Sequence, residues 1–87
     1  MATVIVPALL RGLCGGVPYH ELSGATIGDI LEQLDNRCPG IYDRLVEDGS
    51  LRPELAFAID GEVVGLALHD PVAPNAEMAI VPAIGGG

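Results

Sequence analysis

One amphipathic helix pattern in a chain otherwise made of strand patterns limits the fold more than any other feature. Aliphatic residues recur there at i, i+3, i+4 and i+7: Ile27, Ile30, Leu31 and Leu34. This spacing predicts a helix over residues 26–37 with one apolar side. Thr26 and Asp29 at its start are typical of a capping box. Because a single helix and a sheet each expose an apolar face, the two are predicted to pack together.

Two strand patterns precede the helix. Residues 2–7 are a run rich in β-branched side chains, and residues 17–22 form a second strand pattern. Between them, the segment from Leu9 to Gly16 ends in Cys-Gly-Gly, which is a turn signal. The N-terminal part is therefore predicted to be a hairpin with a long connection.

Three strand patterns follow the helix. Residues 55–59 alternate, with Leu55, Phe57 and Ile59 on one face, which predicts a strand. The Asp60-Gly61 pair favours a two-residue hairpin turn that returns through residues 62–64. The last strand is predicted over residues 78–84. Pro82 should lie near its end or at an edge, because proline has no N–H to donate to a sheet.

The resulting order is β-β-α-β-β-β, with room for one or two helical turns after Pro39-Gly40. This order predicts an α+β protein of the β-grasp, or ubiquitin-like, class, with a mixed sheet packed on one main helix. At 87 residues the chain is predicted to be one β-grasp domain over residues 1–84, followed by a flexible glycine tail over residues 85–87.

The charge of the chain excludes several kinds of partner. The formal net charge is −8, and all four basic residues are arginines. An acidic domain repels phosphate groups, so no nucleic-acid or membrane partner is expected, and a basic protein partner is favoured. The N-terminus shows no signal-peptide pattern, which predicts a cytoplasmic protein with reduced thiols.

The two cysteines and two histidines do not form a recognisable metal motif. Cys14 is interpreted as a small apolar loop residue and Cys38 as a packing residue at the helix end. His20 and His69 are far apart in the sequence and are expected to make hydrogen bonds or to lie at the surface. No metal site and no catalytic residue are predicted.

The chain ends in Gly85-Gly86-Gly87 directly after an apolar strand pattern. Such a tail has no side chains and one functional group, the α-carboxylate of Gly87. Three extended residues reach about 10 Å, and glycine enters channels that are too narrow for other residues. These properties favour a terminus that is itself the reacting group inside the active site of another enzyme.

The end of the chain resembles the ThiS/MoaD family of ubiquitin-like sulfur carriers. Residues 82–87, Pro-Ala-Ile-Gly-Gly-Gly, match its terminal pattern of proline, an aliphatic residue, one small residue and Gly-Gly. Residues 55–62 resemble its apolar strand and turn. Residues 6–11 with Gly15-Gly16 are similar to the molybdopterin and cysteine-synthesis branches. Cys14 stands where Thr is common, and Pro74-Asn75 replaces the usual Asp-Gly-Asp turn.

The resemblance implies a carrier and not an enzyme. An E1-like adenylating enzyme of the MoeB/ThiF type would use ATP to adenylate Gly87, with Gly85 and Gly86 recognised by the partner enzymes. A desulfurase or rhodanese-type sulfur donor would then convert Gly87 to a thiocarboxylate for a sulfur-accepting biosynthetic enzyme. The carrier itself would bind no cofactor. An apolar patch on the exposed sheet face is expected to dock these partners, with Phe57 and Ile84 as its candidate residues.

Three other functions remain open from the residues. The same tail suits a ubiquitin-like modifier joined through Gly87 to lysines of other proteins, or the small subunit of molybdopterin synthase. An acidic interaction subunit with an inert tail is a further alternative. Among sulfur carriers, the cysteine and secondary-metabolite types are favoured slightly over the molybdopterin type.

Overall fold

A computed structural model describes residues 1–64 and 67–82. The first half contains strand β1 (Ala2–Ile5), a 3₁₀ segment (Ala8–Cys14), strand β2 (Tyr19–Leu22), helix α1 (Ile27–Arg37) and helix α2 (Ile41–Leu45). The second half contains strands β3 (Val46–Glu47), β4 (Ser50–Leu51), β5 (Leu55–Ile59), β6 (Glu62–Val64) and β7 (Glu77–Pro82).

Five of the strands form one mixed sheet in the order β2-β1-β7-β5-β6. The first and last strands, β1 and β7, pair in parallel, whereas the other neighbours pair antiparallel. The last strand of the chain therefore lies at the centre of the sheet, between β1 and β5. This arrangement confirms the predicted α+β class and the β-grasp fold.

The predicted helix is confirmed, because α1 spans Ile27–Arg37 and its aliphatic stripe is fully buried. The capping box is present as well. The hydroxyl of Thr26 accepts a hydrogen bond from the backbone N–H of Asp29 at 3.2 Å, and the Asp29 carboxylate accepts one from the N–H of Thr26 at 3.3 Å. These bonds satisfy backbone donors that the first turn of a helix leaves free.

The core lies between α1 and the inner face of the sheet. It is aliphatic except for Phe57, Met78 and the two cysteines, and inward residues alternate along each strand, as Val4 and Met78 show. Each large apolar side chain that leaves water in this way contributes about 1.5–3 kcal/mol to folding. The buried stripe of α1 covers the inner face together with Ile41 and Leu45 of α2.

The turn between β5 and β6 is confirmed at Asp60 and Gly61, which both have positive φ, 49° and 90°. A second Asp-Gly pair, Asp48-Gly49, makes the same kind of turn between β3 and β4, with φ of 54° and 77°. This two-stranded hairpin was not predicted, because the apolar spacing after Gly40 suggested only helix. The segment before Gly16 is also a 3₁₀ helix and not an irregular loop.

Candidate functional site

The strand that leads to the C-terminus is held on both sides. Within β7, Ala79 pairs with Ile5 of β1 and with Ala58 of β5. Pro82, the last described residue of β7, pairs with Leu55 of β5. The predicted extension of the strand to Ile84 and the glycine tail, Gly85 to Gly87, lie outside the described residues.

A row of apolar residues crosses the outer face of the sheet, one from each strand. We call it the outer apolar row, and the strand registers align its members across the sheet: Tyr19, Ile5, Ala79, Ala58 and Val63. Tyr19 and Val63 at its two ends are 63% and 71% exposed. A single exposed apolar side chain is common on protein surfaces, but a continuous apolar row with exposed ends makes this face a candidate protein-binding surface.

Acidic residues lie beside the outer apolar row. Thr3 lies two residues before Ile5 in β1 and so on the same face of the sheet. It pairs with Glu21 of β2 on one side and with Glu77 of β7 on the other. Both glutamates are exposed. On the other side of the row, Ala56 pairs with Val81, which is closer to the C-terminus. The outer face is therefore apolar towards the C-terminal end of β7 and acidic towards its beginning.

The structure corrects one residue of the predicted docking patch. Phe57 is 1% exposed and belongs to the core, so its side chain is not available to a partner. The sequence assigned Leu55, Phe57 and Ile59 to one face without saying which face was buried. In the structure, Leu55, Phe57 and Ile59 face the core that contains the buried stripe of α1. Ala56 and Ala58 therefore lie on the outer face. The other candidate, Ile84, lies outside the described residues.

The structure also overturns the expectation of reduced thiols, because Cys14 and Cys38 form a disulfide. The bond joins the end of the 3₁₀ segment to the residue that follows α1. His20 of β2 is buried at the same place, and its Nε2 lies 2.9 Å from the carbonyl oxygen of Val17. Sequence spacing did not reveal this cluster, because its three residues come from three elements.

Other polar residues mainly support the fold. Asp35 accepts hydrogen bonds from the N–H groups of Gly40 and Tyr42 at 3.1 and 3.0 Å and so caps α2. Arg11 donates from Nε to the Val6 carbonyl at 3.0 Å. The side chain of His69 is 88% exposed.

Within the described part of the chain, no helix is both long and apolar enough to cross a bilayer.

The mixed sheet, its single long helix and a central last strand that leads into a glycine terminus define a ubiquitin-like β-grasp protein. A sequence profile described as the ThiS family matches residues 4–87 of the chain. The protein therefore belongs to the ThiS family, as its C-terminal pattern suggested.

Several known proteins are similar to this chain over its length. Sulfur carrier protein CysO of Mycobacterium tuberculosis is 30% identical over 90 residues, which cover 98% of this chain and 97% of that protein. A chain of the Amycolatopsis orientalis BexX/CysO complex is 31% identical, with 100% of both chains covered and a TM-score of 0.87. Small archaeal modifier protein 1 of Haloferax volcanii is 29% identical, with 99% and 98% covered and a TM-score of 0.70.

Proposed function

We propose that this protein is a sulfur carrier whose terminal Gly87 is activated and converted to a thiocarboxylate. The observation that supports this most directly is the ThiS-family match, which extends to Gly87 itself. The similarity to CysO, a sulfur carrier protein, over nearly the full length of both chains agrees with it. The carrier supplies the reacting group and a binding surface, while its partner enzymes supply the catalysis.

The chemistry proceeds in two steps. A carboxylate is a poor acyl donor, because oxide is a poor leaving group. Attack of the Gly87 carboxylate on the α-phosphate of ATP releases pyrophosphate and forms an acyl-adenylate. Sulfide then displaces AMP and leaves the thiocarboxylate. A persulfide donor forms an acyl disulfide in the same way, and a thiol reduces it to the thiocarboxylate.

Three partners follow from this chemistry. An E1-like adenylating enzyme binds ATP and the tail, a desulfurase or rhodanese-type protein delivers sulfur, and a biosynthetic enzyme accepts it. Because the first step consumes ATP, we place this protein in the cytoplasm. The relatedness to CysO favours a cysteine or secondary-metabolite pathway as the recipient over the molybdopterin type.

The outer apolar row is the surface that docks the activating enzyme. Its central residue, Ala79, belongs to β7, and Ile5 and Ala58 lie on the two neighbouring strands. A partner bound there therefore contacts the strand that continues into the tail. The partner surface is expected to be apolar opposite Ala58 and Ala79 and basic opposite Glu21 and Glu77. Opposite charges at the rim favour encounter and fix the orientation in which the tail enters the active site.

Intact mass spectrometry tests the proposal. The protein is incubated with its cognate activating enzyme, ATP and a sulfur source, and the expected result is a mass gain equal to replacement of one oxygen by sulfur. A chain that lacks Gly86 and Gly87 is the control and should show no gain. Failure of the full-length chain to gain sulfur with authentic partners would refute the carrier function.

The docking surface is tested separately with two variants of equal charge change. Ala58→Arg places a cation in the centre of the outer apolar row, and Gln33→Arg places one on the exposed side of α1. Ala58→Arg is expected to lower the rate of adenylation by about tenfold or more, because it leaves a charge at the centre of the interface. Equal rates for both variants would exclude this face as the docking surface.

A second function is supported by the similarity to small archaeal modifier protein 1. In that case Gly87 forms an isopeptide bond with lysines of other proteins. The chain has no lysine, so this protein cannot extend a chain through its own ε-amines. Covalent adducts in cells that disappear when Gly86 and Gly87 are deleted would establish the modifier function.

A further inference from the structure

Cys14, His20 and Cys38 bring three metal-ligand side chains to one buried place. One ligand atom of each residue lies within 4.8 Å of the other two. The residues are only 7%, 8% and 0% exposed, respectively. Within residues 1–64 and 67–82, this is the one group of three His, Cys or acidic side chains close enough to hold a metal ion. The residues come from the 3₁₀ segment, from β2 and from the end of α1.

The histidine of this cluster is held in an orientation that suits a metal ligand. Nε2 of His20 lies 2.9 Å from the Val17 carbonyl oxygen, so it carries the proton and donates it there. The neutral ring then has its lone pair on Nδ1. Histidines that bind metals usually donate their other N–H to a carbonyl or carboxylate, which fixes the ring.

We propose that Cys14, His20 and Cys38 bind one zinc ion when the cysteines are reduced, and that the disulfide is the form that binds no metal. A dithiol reductant supplies two electrons and two protons to the disulfide and is itself oxidised to a disulfide. Zinc then replaces the protons of the two thiols, so two protons are released as two Zn–S bonds form. In the reverse direction a small-molecule disulfide accepts two electrons from the two thiolates and is reduced to thiols, the Cys14–Cys38 bond re-forms, and the zinc ion is released.

The cluster can supply three ligands of a tetrahedral zinc site. Two Zn–S bonds of about 2.3 Å separate the sulfurs by about 3.8 Å, and a Zn–N bond of about 2.0 Å puts nitrogen about 3.5 Å from each sulfur. The sulfurs are bonded to each other in the oxidised form, so reduction lets them move apart to this separation, and a ring nitrogen of His20 already lies within 4.8 Å of both. The fourth position is left for water or another small donor. Two thiolates with one imidazole are a donor set that suits zinc.

Metal titration of the reduced protein tests this proposal. The chain is reduced with a dithiol, freed of reductant without oxygen and titrated with Co²⁺ as a spectroscopic probe and then with Zn²⁺. One Co²⁺ per chain is expected, with a thiolate-to-cobalt charge-transfer band that Zn²⁺ removes. The oxidised protein is expected to show no such band, since its sulfurs are bonded to each other.

His20→Gln and His69→Gln are the matched variants. His20→Gln should weaken Zn²⁺ binding by about tenfold or more, since it removes a ligand. His69→Gln should leave binding unchanged, because His69 is exposed and outside the cluster. Circular dichroism verifies that both variants are folded. Equal zinc affinity of the two folded variants would overturn the proposal.

A measurement on the unmodified chain keeps the test decisive if His20→Gln does not fold. X-ray absorption at the zinc edge should show two sulfur and at least one imidazole neighbour in the reduced protein. Absence of stoichiometric zinc, or a zinc ion without both sulfur neighbours, would refute the site. Neither result depends on thiocarboxylate formation at Gly87, so a failure of the zinc proposal would not contradict the proposed carrier function.

Discussion

At the scale of single residues, the approach to α1 depends on the small size of Gly24. A Cβ added at this position would lie 2.9 Å from Cβ of Asp29, 3.0 Å from Cδ1 of Ile30 and 3.1 Å from the backbone nitrogen of Ile30. The last of these atoms belongs to the helix backbone and does not move with a side-chain rotation. Gly24 therefore allows the loop to pass close to the capping box.

Gly24→Ala is predicted to lower the free energy of unfolding by about 1–3 kcal/mol, because the added methyl group overlaps the first turn of α1. Gly12→Ala is the control. A Cβ at Gly12 meets no atom within 4 Å, so its effect should stay within about 1 kcal/mol. Urea unfolding of both variants measures the difference, and equal midpoints would contradict the assigned contact.

At the scale of elements, the β5–β6 turn is attached to the strand that leads to the tail. The backbone N–H of Asp60 donates to the Glu77 carbonyl at 2.9 Å, and the Asp60 carboxylate accepts from the N–H of Glu77 at 3.0 Å. These two bonds set where β7 begins. The turn thereby helps to fix the register of the central strand.

Asp60→Ala is predicted to destabilise the protein by about 1–2 kcal/mol, since it removes this acceptor and places alanine at positive φ. Asp60→Asn retains an oxygen acceptor and tolerates that conformation, so it should cost clearly less. Thermal unfolding compares the two variants. If asparagine were as harmful as alanine, the charge and not the acceptor would be the important property.

The disulfide joins two elements across a sequence separation of 24 residues. A cross-link over a loop of this length stabilises a protein by about 3 kcal/mol, chiefly through the unfolded chain. Cys14→Ala combined with Cys38→Ala is therefore predicted to lose about that much in urea unfolding. Reductant should lower the stability of the unmodified chain and leave the double variant unaffected. Insensitivity of the unmodified chain would show that the bond contributes nothing.

At the scale of the whole molecule, a net charge of −8 produces a long-range field that attracts a basic partner. The rate of association with the proposed activating enzyme is predicted to fall as salt concentration rises, because salt screens this field. The combined change Glu21→Gln and Glu77→Gln should flatten that dependence. Both glutamates lie beside the outer apolar row.

Glu32→Gln combined with Glu54→Gln is the control, since it removes the same charge from exposed positions on other elements. Stopped-flow measurements at several salt concentrations give the slopes for both pairs. The first pair should have the shallower slope. If the slopes are equal, only total charge matters, and the position of the acidic residues on the outer face does not.

Local patterns in the sequence were sufficient to predict the main helix, the five strands of the mixed sheet and the fold class, but not the β3–β4 hairpin or the 3₁₀ segment. The stripe from Ile27 to Leu34, the capping box at Thr26 and the Asp60-Gly61 turn depend on neighbours within a few residues, so the chain alone determines them. The family resemblance came from the same kind of information, the order of residues at the C-terminus. For these features no distant contact had to be known.

Tertiary structure decided which residues face outwards and which distant residues meet. Period-2 alternation defines two faces of β5, but only packing against α1 buries Phe57 and leaves Ala58 in the outer apolar row. Likewise Cys14, His20 and Cys38 meet because three elements converge at one end of the fold. Contacts between residues far apart in the chain depend on how its elements pack, and no local pattern records that packing.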